Sequence, residues 1–290
     1  MDSLEARRAL GPGEAALEND GRLSLLFVGA GSAFSKKFYQ NNLLVVKGRD
    51  HALVDCGTRA PEALALLGIP VTKISTYVVT HSHADHSGGL EEVMLLNRYV
   101  TKRKPRIVVA GRYARHLWKR TLAGGAAYNE RKGGRWLRFE DLWERVPVRK
   151  LRGADRERQV ALVGGIEFQL FRTMHIPDSA RSWRDSSLSY GVVIDRRVLY
   201  TSDTRFDPDM VNSLDAEFGF EAIFHDCQFF PGGVHAFIEE LGTLPAAIKA
   251  KTRLMHYGDA ADEKRARAAE LGFAGFAEQW TPYEFSGPSD

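Results

Sequence analysis

Cysteine is nearly absent, with only Cys56 and Cys227 in 290 residues. Two thiols supply neither a disulfide framework nor a thiolate zinc site, so both read as reduced and buried. No apolar run approaches the ~20 residues that span a bilayer. The opening MDSLEARRAL puts charges where a secretory leader needs an apolar stretch, which points to a cytoplasmic protein with no membrane association. Internal repeats and low-complexity tracts are also missing. At 44% hydrophobic and 27% charged, the composition excludes disorder, collagen and coiled coil as whole-chain readings. The length is ample for a substantial core.

The small net charge of +3 conceals an asymmetry. Residues 98–158 hold nineteen Lys/Arg against six Asp/Glu, so the rest of the chain is net acidic. Such a segment is either a solvated surface insertion or a positive rim that attracts a phosphate-bearing substrate. Tyr99, Tyr113, Trp118, Tyr128, Trp136, Phe139 and Trp143 are interleaved there, as a base-stacking surface requires, although several suit a core equally well.

Residues 1–20 lack periodicity and read as a loose arm, leaving residues 21–290 as a single domain. LSLLFVG, NLLVVKG and HALVDCG predict three strands. A helix follows over 60–67, then the strand KISTYVVT, the loop HSHADHSGG and a helix through LEEVMLLNRYV. RIVVAG reads as a strand, 113–122 as helical and 124–134 as a mobile glycine-rich stretch. Two hairpins come next, turning at Gly164-Gly165 and near 195–197. The chain ends with strand EAIFHDC, helix VHAFIEEL, strand TRLMHYG and a helix over 261–271. Strand-rich halves with interspersed helices predict an α/β sandwich of two packed sheets.

VGAGSAF follows a strand and begins like a dinucleotide fingerprint, but Phe34 stands where the third glycine belongs. Gly29 and Gly31 therefore read as a tight turn.

The decisive feature is THSHADHSGG. Three histidines, His81, His83 and His86, fall within six residues, with Asp85 among them. In an extended segment positions i and i+2 point the same way, so His81 and His83 can share one ion. Asp85 and His86 lie where the chain turns into a helix and can diverge toward a second ion. Gly88 and Gly89 let that helix start pack close to the loop. Imidazole and carboxylate donors suit Zn²⁺, and Mn²⁺ is the alternative.

This HxHxDH signature resembles that of the metallo-β-lactamase superfamily. The resemblance spans roughly residues 23–259 and implies an αββα sandwich of two mixed sheets flanked by helices. Position by position it also implies a ligand set. His175 in TMHIPDS completes the first metal site with His81 and His83. His256 in LMHYGD completes the second with Asp85 and His86, and Asp203 in YTSDT bridges the two. Asp55 in LVDCG is the carboxylate that orients the metal loop from behind. Two such cations activate water as hydroxide and clamp a phosphate or carbonyl oxygen.

The fold alone chooses no substrate. FVGAGSAFSKKFYQNNLLV is similar to the opening of the ribonuclease Z group. IFHDC, GGVHAFIEEL and LMHYGD follow the order of that group's later motifs, with Asp226 in place of glutamate and Ala236 in place of serine. On this resemblance His235 protonates the leaving ribose oxygen, oriented by Asp226, and Asp85 steers the hydroxide as well as ligating. His225 is either a supporting or a simply buried residue. No Gly/Pro-rich exosite arm is evident. A core of this kind without the arm resembles the small cyclic-nucleotide phosphodiesterases, including those phages use against immune signalling nucleotides. The expectation is therefore a dinuclear phosphodiesterase acting on a small cyclic nucleotide, and the resemblance implies a homodimer. RNA 3′-end cleavage, and lactone or thioester hydrolysis, are the alternatives.

Overall fold

The computed structural model describes residues 4–287. Two eight-stranded mixed sheets form its centre. The first runs, in spatial order, Leu4–Ala6, Pro282–Phe285, Leu23–Gly29, Asn42–Lys47, Asp50–Val54, Thr76–Val79, Arg106–Val109 and Glu144–Arg145. The second runs Arg149–Lys150, Arg158–Val163, Ile166–Arg172, Tyr190–Ile194, Val198–Tyr200, Ala222–Asp226, Thr252–Met255 and Gly275–Phe276. Runs such as LLVV and FVG are buried on both faces, which explains their continuous rather than alternating hydrophobicity.

The sheets meet through aromatic contacts. Phe27 of the first sheet lies 4.9 Å from Phe224 of the second, and Tyr283 lies 5.3 Å from Phe224, centroid to centroid. Helices cover the outer faces, so the architecture is the predicted αββα sandwich. No helix among the described residues is long and apolar enough to cross a membrane.

In each sheet a parallel block ends at the same edge. Asp50–Val54, Thr76–Val79 and Arg106–Val109 are parallel, as are Val198–Tyr200, Ala222–Asp226 and Thr252–Met255. Their carboxyl ends deliver the loops that carry the conspicuous aspartates and histidines.

Several elements differ from the sequence expectation. Leu4–Ala6, inside the stretch read as a loose arm, pairs antiparallel with Pro282–Phe285. Both strands are short, and their partner lies at the far end of the chain. Residues 124–134 hold the short helix Ala123–Ala126 and one strand of the hairpin Arg131–Lys132/Arg135–Trp136. The eleven-residue helix Pro208–Phe218 carries no predicted element, although Asp207 caps it by accepting from the Met210 N–H at 3.1 Å. VHAFIEEL is helical only over Ile238–Leu241, which leaves His235 in the preceding loop.

Candidate dinuclear metal centre

Both sheets contribute to one buried cluster. From the first come His81, His83, Asp85 and His86, in the loop and first helical turn after Thr76–Val79. From the second come His175, beyond Ile166–Arg172, Asp203, beyond Val198–Tyr200, and His256, directly after Thr252–Met255. Side-chain donor atoms of His81, His83, His175 and Asp203 lie within 4.8 Å of one another, and so do those of Asp85, His86, Asp203 and His256.

Asp203 belongs to both groups, and its two oxygens divide the work. Oδ2 lies 3.6 Å from Nε2 of His81 and 3.6 Å from Nε2 of His175. Oδ1 lies 3.1 Å from Nε2 of His86 and 3.6 Å from Nε2 of His256. Asp85 Oδ2 closes the second group, at 3.2 Å from His86 Nε2 and 3.1 Å from His256 Nε2. A carboxylate facing two donor sets through different oxygens is the arrangement a bridging ligand needs.

The far nitrogens of His86, His175 and His81 are held from behind, which fixes the orientation of the near ones. His86 Nδ1 lies 2.7 Å from Asp55 Oδ2, His175 Nδ1 lies 3.0 Å from the Val234 carbonyl, and His81 Nδ1 lies 3.1 Å from Thr80 Oγ1. Asp55 also accepts from the Thr80 hydroxyl at 2.7 Å, and Ser202 donates to Thr80 at 3.0 Å. Asn42 donates to the Asp85 carbonyl at 3.1 Å and accepts from the Gly57 N–H at 2.6 Å. Thr80 and Ser202 were not among the sequence candidates: hydroxyl residues are common, and only the fold aims them. At Gly89 a β-carbon would lie 2.6 Å from the Gly57 carbonyl oxygen, so glycine there permits the close packing of the metal loop. Asp55, Ser202 and His256 take left-handed backbone conformations at φ 63°, 50° and 58°, which non-glycine residues adopt only when the surroundings impose it.

Do these residues fit metal ions? His81 Nε2 is buried without a hydrogen-bond partner, and His86 Nε2 and Asp203 Oδ1, though 3.1 Å apart, are buried without a well-aligned one. Orphaned buried polar atoms carry a free-energy penalty, and these three converge. Burial pushes the His175 ring down to about 4 and holds His81 well below the ordinary histidine value, which favours the neutral imidazoles that ligate. Burial opposes charge on His86 and His256 too, but the Asp203 carboxylate and its neighbours outweigh it and raise both. A divalent cation between the two groups would take over the balancing of those carboxylates.

His235 and Asp226 adjoin the cluster. His235 Nδ1 lies 2.8 Å from Asp226 Oδ2, which also accepts from the Thr204 N–H at 2.9 Å. Asp226 Oδ1 lies 3.3 Å from His256 Nδ1, so one carboxylate sits between two rings. Burial works against a charged His235, and the Asp226 carboxylate overcomes it to hold the ring above the ordinary histidine value. His225 is buried on the neighbouring position, with Nδ1 2.8 Å from the Asp226 carbonyl.

A cavity of about 360 Å³ opens over the cluster, lined by Phe34, Gln40, His83, Asp85, Val234 and His235 among others. No residue between 98 and 158 lines it. The cations Arg98, Lys102, Arg103 and Lys104 gather around a separate cavity, beside the amino end of Arg106–Val109 and so at the opposite end of the sheet. Of the aromatics there, Tyr113, Phe139 and Trp143 are buried, whereas Tyr99, Tyr128 and Trp136 are exposed. The cluster Arg98–Lys104 thus lies away from the cavity, whereas Tyr113 of the same basic segment reaches the metal loop, its hydroxyl 2.8 Å from that of Ser82.

Comparison with known proteins gives the family. The family model described as "Anti-Pycsar protein Apyc1" matches residues 23–283. The chain belongs to that family. The protein of that name from Paenibacillus harenae is 36% identical over 250 residues, covering 86% of this chain and 95% of its own. The one from Bacillus phage vB_BsuM-Goe3 is 38% identical over 261 residues, with the same two coverages, 86% and 95%. Among solved structures, the metallo-beta-lactamase fold protein YhfI from Bacillus subtilis superposes with TM-score 0.64 at 16% identity, covering 91% of this chain and 99% of its own. The short form of human tRNase Z superposes with TM-score 0.56 at 15% identity, covering 92% and 100%. Family membership and the assembled donor groups make the chain a metal-dependent hydrolase of the phosphodiesterase type.

Proposed function

We propose that the protein hydrolyses a small cyclic nucleotide, using two zinc ions held by His81, His83 and His175 on one side and by Asp85, His86 and His256 on the other, with Asp203 between them. The observation that carries this reading is the His235–Asp226 pair beside the bridged donor set. With Nδ1 engaged by Asp226 at 2.8 Å, Nε2 of His235 is the nitrogen left for the cavity. The reading is supported by the family, by the small cavity with an aromatic lip and by the absence of the basic segment from its lining.

When bound, the ions supply Lewis-acid activation of water and of the phosphate oxygens. The chain's own residues do the rest. Asp203 and Asp85 keep the donor groups in register, and Asp85, at the cavity floor, steers the attacking water. His235 protonates the departing ribose oxygen, a task an imidazole performs near neutral pH. Asp226 positions that imidazole and fixes which nitrogen faces the substrate. The enzyme acts as a homodimer in the cytoplasm, the assembly that the ribonuclease-Z-like resemblance implies.

The test is hydrolysis by metal-loaded protein of cyclic mononucleotides beside a 3′-extended transfer RNA, with Asp203→Ala as blank. Turnover of the cyclic nucleotides alone is expected. Cleavage of the RNA instead would overturn this reading in favour of 3′-end processing, and silence on both would point to lactones or thioesters.

A further inference from the structure

Two phenylalanines stand in solvent beside the donor set. Phe34 is 86% exposed and Phe230 is 63% exposed, although large apolar side chains gain by being covered. Between them lies a second cavity of about 360 Å³, also lined by Phe229 and Cys227. It shares Ala33, Phe34, His235 and His256 with the cavity over the metal centre, so the two adjoin.

Each phenylalanine is carried by a loop tied to a histidine of the site. On the Phe34 side, Ser32 N–H donates to the Tyr257 carbonyl at 2.9 Å and the Ser35 hydroxyl donates to Asp259 at 2.5 Å, which fastens the loop to the chain just after His256. Phe230 lies five residues before His235 in the same loop. The Gln228 side-chain amide donates to the Phe230 carbonyl at 2.7 Å and also to that of Gly232, and the Gln228 N–H donates to the Ala236 carbonyl at 2.8 Å.

We infer that Phe34 and Phe230 are the two jaws of a nucleobase clamp, which holds the base while the phosphate lies over Asp203. This rests on the nucleotide reading above and adds how the base is recognised. Two aromatic faces beside an apolar cavity match the π-face that every base presents. Two of the polar side chains in the lining already have partners: the Asp259 carboxylate accepts from Ser35 and from the N–H groups of Lys36 and Lys37, and the Gln228 amide nitrogen holds its own loop. Stacking on the two rings carries the recognition, and it serves the faces of purines and pyrimidines alike.

The experiment uses the metal-loaded protein with Phe34→Ala, Phe230→Ala, Phe230→Leu and Phe230→Trp. Leu162→Ala, an exposed apolar residue lining neither cavity, serves as control. KM for adenosine and cytidine 3′,5′-cyclic phosphates should rise roughly tenfold with each alanine, with kcat little changed. Tryptophan should restore KM, leucine should not, and the control should resemble the wild type. Calorimetry with adenosine 5′-monophosphate against ribose 5-phosphate measures what the base adds to affinity, independently of turnover. That increment should fall roughly tenfold in the alanine variants. An unchanged increment overturns the clamp while leaving the diesterase reading intact. Failure of the wild type to hydrolyse any cyclic nucleotide, with the increment still lost in the variants, overturns the diesterase reading and leaves a nucleotide-binding clamp.

Discussion

Residues 98–158 hold nineteen basic side chains against six acidic ones, and the carboxyl ends of the two sheets gather Asp55, Asp85, Asp203 and Asp226 among six histidines. In the first region the pairs reach water on at least one side: Arg135, 43% exposed, pairs with Asp141 at 2.6 Å, and Arg98 pairs at 3.2 Å with Glu130, 38% exposed. In the second, all four aspartates are buried, and each has a contact on two sides or more. Exposed ion pairs contribute little because water screens them, whereas a buried charge must be paired or must hold a cation. A density of charge along the sequence therefore marks a surface, and the demand for partners inside marks the site.

Breaking the buried side should cost most. Asp203→Ala removes the carboxylate shared by both donor groups, so bound metal and turnover should vanish together, as metal analysis beside a rate assay would register. A variant that kept both would end the dinuclear account. Next, His235→Ala should retain metal and fold yet slow hydrolysis roughly 10²–10⁴-fold. The loss should shrink for a diester with a nitrophenolate leaving group, and an equal loss on both substrates would exclude proton donation. Asp55→Ala strips the partner behind His86 and should weaken metal binding by roughly 10–100-fold, read by chelator competition. On the exposed side, Lys132→Ala with Arg135→Ala should leave Tm and turnover of cyclic nucleotides unchanged. A marked loss there would revive the basic segment as part of the substrate site.

The same contrast explains what the sequence disclosed. HxHxDH is legible because metal chemistry restricts residue type and spacing at once. His175, Asp203 and His256 are legible through the resemblance to the metallo-β-lactamase superfamily, whose ligand positions they match at the ends of strand-like runs. Thr80, Ser202 and Asn42 are ordinary residues whose importance comes from direction, which only the fold supplies. Phe34 registered in the sequence merely as the residue that spoils a glycine fingerprint. Helix Pro208–Phe218 is faint in the sequence although Asp207-Pro208 is a recognisable start, because Met210, Val211 and Leu214 make only a narrow apolar stripe. The pairing of Leu4–Ala6 with Pro282–Phe285 joins segments nearly the whole chain apart, and no local pattern announces such a partnership.

One feature of the centre reaches beyond chemistry. Four of its donors come from one sheet and three from the other, and Asp203 stands across the seam. Ions bound there would rivet two halves that also meet through packing and through bonds such as that from Ser202 to Thr80, and they bind the folded state by contacts a disordered chain does not assemble. Free metal at about a hundred times its dissociation constant would add about 2.7 kcal/mol of folding stability per site. A chelator should thus act as a mild denaturant of this protein, lowering its melting temperature well before any substrate is offered.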